Sequence, residues 1–202
     1  MITHQMERLK KIKKEKRDLY LFSAISVFEE RGFNNTRIKD ITIRAGTSVG
    51  NFYQYFNSKE EILEVIIKQF YELMLNKLKV LNKYEIPPVS AIKKLYEDYI
   101  KMFKEKKEIS LIFLEQMSGI SNEFNEKKRE YLDNLAKEIE KLISRLADKN
   151  LIRKQNPEIT ARAYIGTIAY TLHWWIRSDF KIDEKELIAN LIDFLIRGTV
   201  HK

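Results

Sequence analysis

"IRAGTSVGNFYQYFNSKEEIL" spans residues 43–63, and its two glycines decide how the N-terminal third is read. The chain has six glycines in 202 residues, and three of them, Gly32, Gly46 and Gly50, fall within 19 residues. Gly46 follows "RIKDITIRA" (37–45), where Ile38, Ile41 and Ala45 recur at helical spacing. A glycine at that point ends the helix, because it enters the left-handed region without a Cβ penalty. Thr36 is the expected cap of this second helix, and Ser48 the cap of a third, "VGNFYQYF". Ser58 and Glu61 have the S-x-x-E spacing of a capping box that opens a fourth. A helix, a glycine turn and a short capped helix form the outline of a helix-turn-helix. Gly50 needs a separate reason, since glycine inside a helix costs about 1 kcal/mol relative to alanine. Its missing side chain would let the backbone approach a DNA phosphate or base edge.

Outward from this stretch, the first helix is predicted from near Arg8 to Arg31, with Leu19, Phe22, Ile25 and Phe28 on its buried face and Gly32 as its stop. The fourth runs through "EEILEVIIKQFYELMLNKLKVL" to the break "YEIPPVS" at 84–90. Later helices are expected at 88–106, 108–118, 122–149, 157–179 and 183–198, with Pro157 in a first turn and Asp183 as a cap. The fold class is all-α, divided into residues 1–60 and a larger helical region, 61–202.

The net charge of +8 is uneven. Residues 1–60 carry 12 Lys/Arg against 7 Asp/Glu, and residues 61–202 carry 25 against 22, so the basic surplus is concentrated at the N-terminus. That points to a polyanionic partner there. The stretch 4–17 alone has seven basic and two acidic residues. It is expected to extend the first helix and add phosphate contacts. Its weak stripe of Met6, Leu9 and Ile12 also leaves open a membrane-surface helix.

Several classes are disfavoured. Cysteine is absent, which removes disulfides and thiolate metal sites. No secretory h-region or membrane-length apolar run is present, so the sequence is read as cytoplasmic, without a membrane partner. His4, His173 and His201 are far apart, and no phosphate-binding loop, dinucleotide fingerprint or metal-spaced histidine pair occurs. No catalytic residue, metal ligand or cofactor is expected.

Residues 17–63, through "SAISVFEERGF", Thr36, "IKDI" and "AGTSVGNFYQYFNSKEEI", resemble the DNA-binding region of the TetR family of bacterial transcriptional regulators. The spacing is unbroken over nearly 50 residues. Thr42, where the family usually has alanine, and Thr47, where it prefers a branched apolar residue, depart slightly. The resemblance implies an N-terminal three-helix DNA-binding domain joined to a C-terminal ligand-binding and dimerisation domain. It makes the third helix the recognition helix in the major groove.

On that resemblance Val49, Gly50, Asn51 and Gln54 are the base-reading candidates. Asn and Gln can each pair bidentately with adenine, and Val49 can pack on a thymine methyl. Phosphate candidates are Thr36, Arg37, Thr47, Tyr53, Tyr55 and Lys59, which fix register without reading sequence.

In the C-terminal region, a dimer surface is expected on the last two helices, at Gly166, Tyr170, Trp175, Leu191, Ile192 and Leu195. An effector pocket is expected among helices four to eight. Phe70, Tyr96, Tyr99 and Phe103 are candidates from its first part, and Phe113, Met117, Tyr131 and Trp174 from its second. The implied function is a homodimeric repressor that binds double-stranded DNA at a palindromic operator and is released by a small apolar or aromatic ligand. The alternative is a DNA-binding regulator with no small-molecule effector, controlled by a protein partner.

Overall fold

In the computed structural model, which describes residues 2–114 and 122–198, every regular element among the described residues is an α-helix. The helices are α1 (Ile2–Arg31), α2 (Ile38–Arg44), α3 (Val49–Phe52), α4 (Lys59–Leu81), α5 (Val89–Glu105), α6 (Lys107–Leu114), α7 (Asn122–Asp148), α8 (Pro157–Arg177) and α9 (Glu184–Arg197). They fall into two units, Met1–Gln69 and Phe70–Lys202, with α4 continuing from one into the other.

In the first unit, α1 buries Tyr20, Leu21, Ala24, Val27 and Phe28. The expected face of Leu19, Phe22, Ile25 and Phe28 is corrected: Phe22 is 74% exposed and Leu19 is on the surface. Repeated three-residue steps drift about 60° per step around a helix of 3.6 residues per turn, so four of them cannot share one face. α1 also starts earlier than expected, and the side chains of residues 5–16 are all exposed.

Two ion pairs hold α2 against α1. Arg44 donates to both carboxylate oxygens of Glu30 at 2.5 Å and to Ser26 Oγ at 2.6 Å, and Arg31 donates to Asp40 Oδ1 at 2.9 Å. The cap of α2 differs from the sequence reading. Arg37 is the cap residue, and its N–H donates to Asp40 Oδ2 at 2.9 Å. Thr36 turns back instead, its hydroxyl donating to Gly32 O at 2.8 Å.

Gly46 sits at φ +63°, in the left-handed region, and ends the α2 segment as expected. Ser48 caps α3, accepting from the Asn51 N–H at 3.2 Å. α3 is shorter than the predicted eight residues. Past Phe52 the amides of Gln54 and Tyr55 bond three residues back, to Asn51 O and Phe52 O, which tightens the chain and closes the helix. At α4, Ser58 Oγ accepts from the Glu61 N–H at 3.0 Å, but Glu61 answers to Asn57 rather than Ser58, accepting from its N–H at 2.7 Å and its Nδ2 at 2.8 Å.

Lys59 organises the chain between α1 and α2. Its ammonium donates to Phe33 O at 2.9 Å, Asn34 O at 3.3 Å and Thr36 O at 3.1 Å, and lies 4.5 Å from the Phe33 ring centroid. All three ammonium donors are thereby used.

In the second unit α7 packs on α8. A buried cluster of Ala136, Ile143 and Ala147 from α7, Ile152 from the connection and Ala161 from α8 joins them, and its alanines permit a close approach. Asn156 caps α8 ahead of Pro157, accepting from the Ile159 N–H at 3.1 Å, and Asp183 caps α9, accepting from the Lys185 N–H at 2.9 Å. Lys77 on α4 donates to Asp98 on α5 at 2.7 Å. This bond is the main reason that the Asp98 carboxyl titrates below its ordinary value, with a second contribution from Lys94.

Replacing Lys59 by Met keeps the stem and the ring contact but leaves three carbonyls without their cation. Lys59→Met is expected to destabilise the N-terminal unit by about 1–3 kcal/mol. Chemical denaturation followed by the aromatic signal of that unit measures this, and an unchanged midpoint would show that the clamp contributes nothing.

Candidate nucleic-acid interface and effector cavity

The α3 segment is built around one buried ring. Tyr20 of α1 is fully buried and meets Phe52 edge-on at 5.4 Å, Tyr55 at 5.5 Å and Phe56 at 6.4 Å. Arg17 covers the far ring, with its guanidinium carbon 4.6 Å from the Phe56 centroid. The Tyr20 hydroxyl lies 2.7 Å from Asn51 Oδ1 and 2.9 Å from Thr47 Oγ1. Neither Tyr20 nor this pair of bonds was singled out from the sequence. A tyrosine at a core position of α1 is spaced like any apolar residue, and its hydroxyl bridges 27 and 31 positions.

Of the base-reading candidates, Val49, Gly50 and Gln54 are exposed and Asn51 is half-buried. A Cβ built on Gly50 would meet nothing within 4 Å. The unit's own packing therefore does not require glycine there.

The phosphate candidates divide. Arg37 and Tyr53 are exposed, and Tyr55 and Thr47 are half-buried, Tyr55 against the Tyr20 ring. Two expectations are corrected. Thr36 is buried with its hydroxyl committed to Gly32 O, and the Lys59 ammonium is committed to three carbonyls, so neither side chain presents a donor outward.

The second unit contains a cavity of about 380 Å³. α4 contributes Met74, Leu78 and Leu81 to its wall, and α5 contributes Ile92, Leu95, Tyr96, Tyr99 and Phe103. Phe113, Leu135, Ile139, Ile165, Ile168, Leu172 and Ile192 complete much of the rest. Among the described residues no charged or amide side chain lines it; the polar atoms that these lining side chains bring are the hydroxyls of Tyr96, Tyr99 and Tyr164 and the Met74 sulfur. Tyr99 donates to Met74 O at 2.7 Å and Tyr164 to Leu195 O at 3.1 Å. Burial pushes the phenols of Tyr96 and Tyr99 well above the ordinary tyrosine range, so both remain protonated donors at neutral pH.

Of the effector-pocket candidates, Tyr96, Tyr99, Phe103 and Phe113 line this cavity. Three other candidates do not. Phe70 packs beneath it against Phe103 and Phe113, at 5.2 and 5.3 Å. Tyr131 is stacked on Tyr71 at 4.3 Å, and Trp174 is exposed on α8. Met117 lies outside the described residues. Most of the wall is aliphatic, and the sequence offers no signal for it, because a leucine lining a cavity has the same spacing as one filling a core.

The expected dimer surface is also redistributed. Trp175 is fully buried, donating its indole N–H to Ile182 O at 2.7 Å. Leu191 and Leu195 are buried within the unit, and Ile192 lines the cavity. Gly166 and Tyr170 are exposed, in line with Ile159, Ala163 and Trp174 along one face of α8, and Phe194 of α9 is exposed too. Among the described residues no helix is long and apolar enough to cross a membrane, and no group of three or more His, Cys, Asp or Glu is placed to hold a metal ion.

Two family models match the chain. "Bacterial regulatory proteins, tetR family" covers residues 21–66, and "Tetracyclin repressor-like, C-terminal domain" covers residues 85–199. The fatty acid metabolism regulator protein of Bacillus subtilis (strain 168) is 21% identical over 193 residues, which is 94% of this chain and all of that protein. Among solved structures, the SmeT–triclosan complex matches with a TM-score of 0.80 at 21% identity, over 93% of each chain. FadR from Bacillus subtilis in complex with stearoyl-CoA matches at 0.76 and 18% identity, over 91% of this chain and 98% of that one. These similar proteins are regulators rather than enzymes, and the chain belongs to the TetR family of bacterial transcriptional regulators.

Proposed function

We propose that the chain is a homodimeric repressor that binds a palindromic operator through α3 and is released by a ligand with a long aliphatic body. The observation that carries the ligand class is the cavity wall, mostly aliphatic and, among the described residues, without a charged or amide side chain. Such a wall favours a hydrocarbon chain over a charged or strongly polar molecule. The similar proteins include a fatty acid metabolism regulator and a structure bound to stearoyl-CoA, which supports an acyl chain as the occupant. The Tyr96 hydroxyl is a donor in this wall for a polar group on the ligand. α4 runs from Lys59, which clamps the turn before α2, to Met74, Leu78 and Leu81 in the cavity wall. A ligand that favours one position of α4 would thereby shift the population competent for DNA.

Two glycines without an internal reason support the two interfaces. Gly50 and Gly166 each sit inside a helix, and a Cβ on either would meet nothing within 4 Å. A helix interior tolerates glycine at a cost of about 1 kcal/mol relative to alanine. An outside surface in close approach accounts for both: DNA at Gly50, and a second copy of α8 at Gly166. The exposed apolar line along α8, continued by Phe194, matches a self-complementary face related by a two-fold axis.

Selection from a random duplex library should enrich an inverted repeat with half-sites about one helical turn apart. Gly50→Ala should leave the fold intact or slightly more stable while weakening binding to the selected site at least tenfold, about 1.4 kcal/mol. Undiminished binding by that variant would remove Gly50 from the interface. Tyr170→Glu should convert a dimer to monomers in analytical ultracentrifugation and lower operator affinity; a persistent dimer would place the interface elsewhere. A long-chain acyl ligand should raise the melting temperature and release the operator, with Leu135→Trp abolishing both effects. Stabilisation by short polar compounds but not by acyl chains would overturn the ligand class.

A further inference from the structure

We propose that the cavity of the second unit opens between the α4–α5 and α7–α8 connections, and that Arg145 and Lys149 at this mouth hold the anionic head of a ligand whose hydrocarbon chain fills the cavity. The Glu85 carboxylate is the internal anion that the head replaces. The inference rests on the reading of this cavity as the effector site and deepens it.

The wall itself shows where the cavity meets solvent. Of the described lining residues only Ile86, Val89 and Leu151 are exposed; all the others are buried or half-buried. Ile86 lies in the α4–α5 connection, Val89 opens α5, and Leu151 lies in the α7–α8 connection. Polar side chains tie these connections to each other. Lys149 donates to Glu85 Oε1 at 2.5 Å. Arg145 donates from Nε to Glu85 O at 3.1 Å and from Nη2 to Asn82 Oδ1 at 3.0 Å. Both cations follow the wall residues Leu142 and Leu146 at three- and four-residue spacing along α7. Residues so spaced are neighbours on a helix surface, so the apolar wall passes into two cations within one turn.

The charge at the mouth is unbalanced. Residues 82–89 and 145–154 together carry five basic side chains against two acidic ones. Glu85 is the anion that meets Lys149, and its side chain is 78% exposed. The bond from Lys149 holds its carboxyl below the ordinary carboxylate range, so it is ionised at neutral pH. An exposed pair of this kind contributes little to stability, because water solvates both partners, and a ligand anion can take the place of Glu85 at small cost. Arg145 has donors to spare. A guanidinium has five N–H groups, and the two bonds of Arg145 go to uncharged oxygens. Its planar fork matches a carboxylate or a phosphate. Deeper in the cavity the described wall offers an ionised head only tyrosine hydroxyls, and desolvation there is costly. The chain therefore enters and the head stays at the mouth.

The test is calorimetric titration of the full chain with tetradecanoate, tetradecanol and tetradecanoyl-coenzyme A, which share one hydrocarbon chain and differ in the head. The same titrations would be run on Glu85→Gln, Lys149→Met and the Arg145→Met/Lys149→Met double variant. The unaltered chain should bind at least one of the two anionic ligands about tenfold or more tighter than tetradecanol. Tighter binding of tetradecanoate assigns the head to a carboxylate, and tighter binding of the coenzyme A thioester assigns it to a phosphate. The double variant should bring the preferred anion down to the affinity of the alcohol while leaving the alcohol unchanged. Lys149→Met should do part of this, and it keeps the idea testable should the double variant fail to fold. Glu85→Gln, which removes the competing anion and keeps its size, should tighten the preferred anion severalfold and leave the alcohol unchanged. Tetradecanol binding the unaltered chain as tightly as both anions would overturn the proposal, and so would an anion preference that survives in the double variant. Equal loss of all three ligands in that variant would mean that the pair only ties the two connections, and would overturn it too. No binding of any of the three by the unaltered chain would instead defeat the effector reading of the cavity.

Discussion

A helix of four residues has no stability of its own, because a first turn fixes several dihedral angles for a single hydrogen bond. α3 exists because Tyr20 gives it something to lie against. The buried ring takes Phe52 on its edge and Tyr55 and Phe56 around it, while its hydroxyl reaches Asn51 and Thr47, one within α3 and one in the turn before it. The left-handed Gly46 and the Ser48 cap set where the chain enters. The Lys59 clamp fixes the turn between α1 and α2, which positions α2 to feed that entry. A segment this short depends on the frame behind it, and the frame extends from Arg17 to Lys59.

The C-terminal unit follows a different physical logic. An apolar void of several hundred cubic ångströms forfeits dispersion contacts on every wall, a cost that a fully packed core would avoid. The α7–α8 seam borders the void directly: Ile139, Ile143, Leu146, Ile152 and Ile165 belong both to its buried cluster and to the cavity wall. A ligand that fills the void restores those contacts and stabilises whichever arrangement of the wall it fits. The void is thus a reservoir of binding energy, and the tyrosines whose hydroxyls already bond to Met74 O and Leu195 O keep the wall from collapsing into it by tying helices across its edges.

What was legible in the sequence was local chemistry. Gly46, Ser48, Pro157 and Asp183 announce turns and caps through requirements met within a few residues, and the structure has each in that role. Tertiary assignment was not legible. Leu19 and Phe22 were placed on the buried face by a three-residue rhythm that drifts around a helix, while the real face runs through Tyr20, Ala24, Val27 and Phe28. Trp175, Leu191 and Leu195 show the same limit from the other side. An apolar residue on a helix is consistent with a core, a cavity wall or a subunit face, and only the fold tells them apart. Trp174, next to the fully buried Trp175, is surface.

Polar residues in the N-terminal unit sort by a stricter rule. A buried donor or acceptor without a partner is costly, so the groups that build the frame are those whose hydrogen bonds close internally. Thr36, Lys59, Arg44 and Asp40 are committed in this way, to Gly32 O, to three carbonyls, and to the ion pairs between α1 and α2. That is why residue type alone overstated the reading surface: Thr36 and Lys59 have the donors that a phosphate needs, and the fold has already used them. What remains exposed is Arg37, Val49, Tyr53 and Gln54, with the bare backbone of Gly50 between. Asn51 stands at the boundary, half-buried with its Oδ1 2.7 Å from the Tyr20 hydroxyl. A single buried hydroxyl thus ties α3 and the turn before it to the core face of α1.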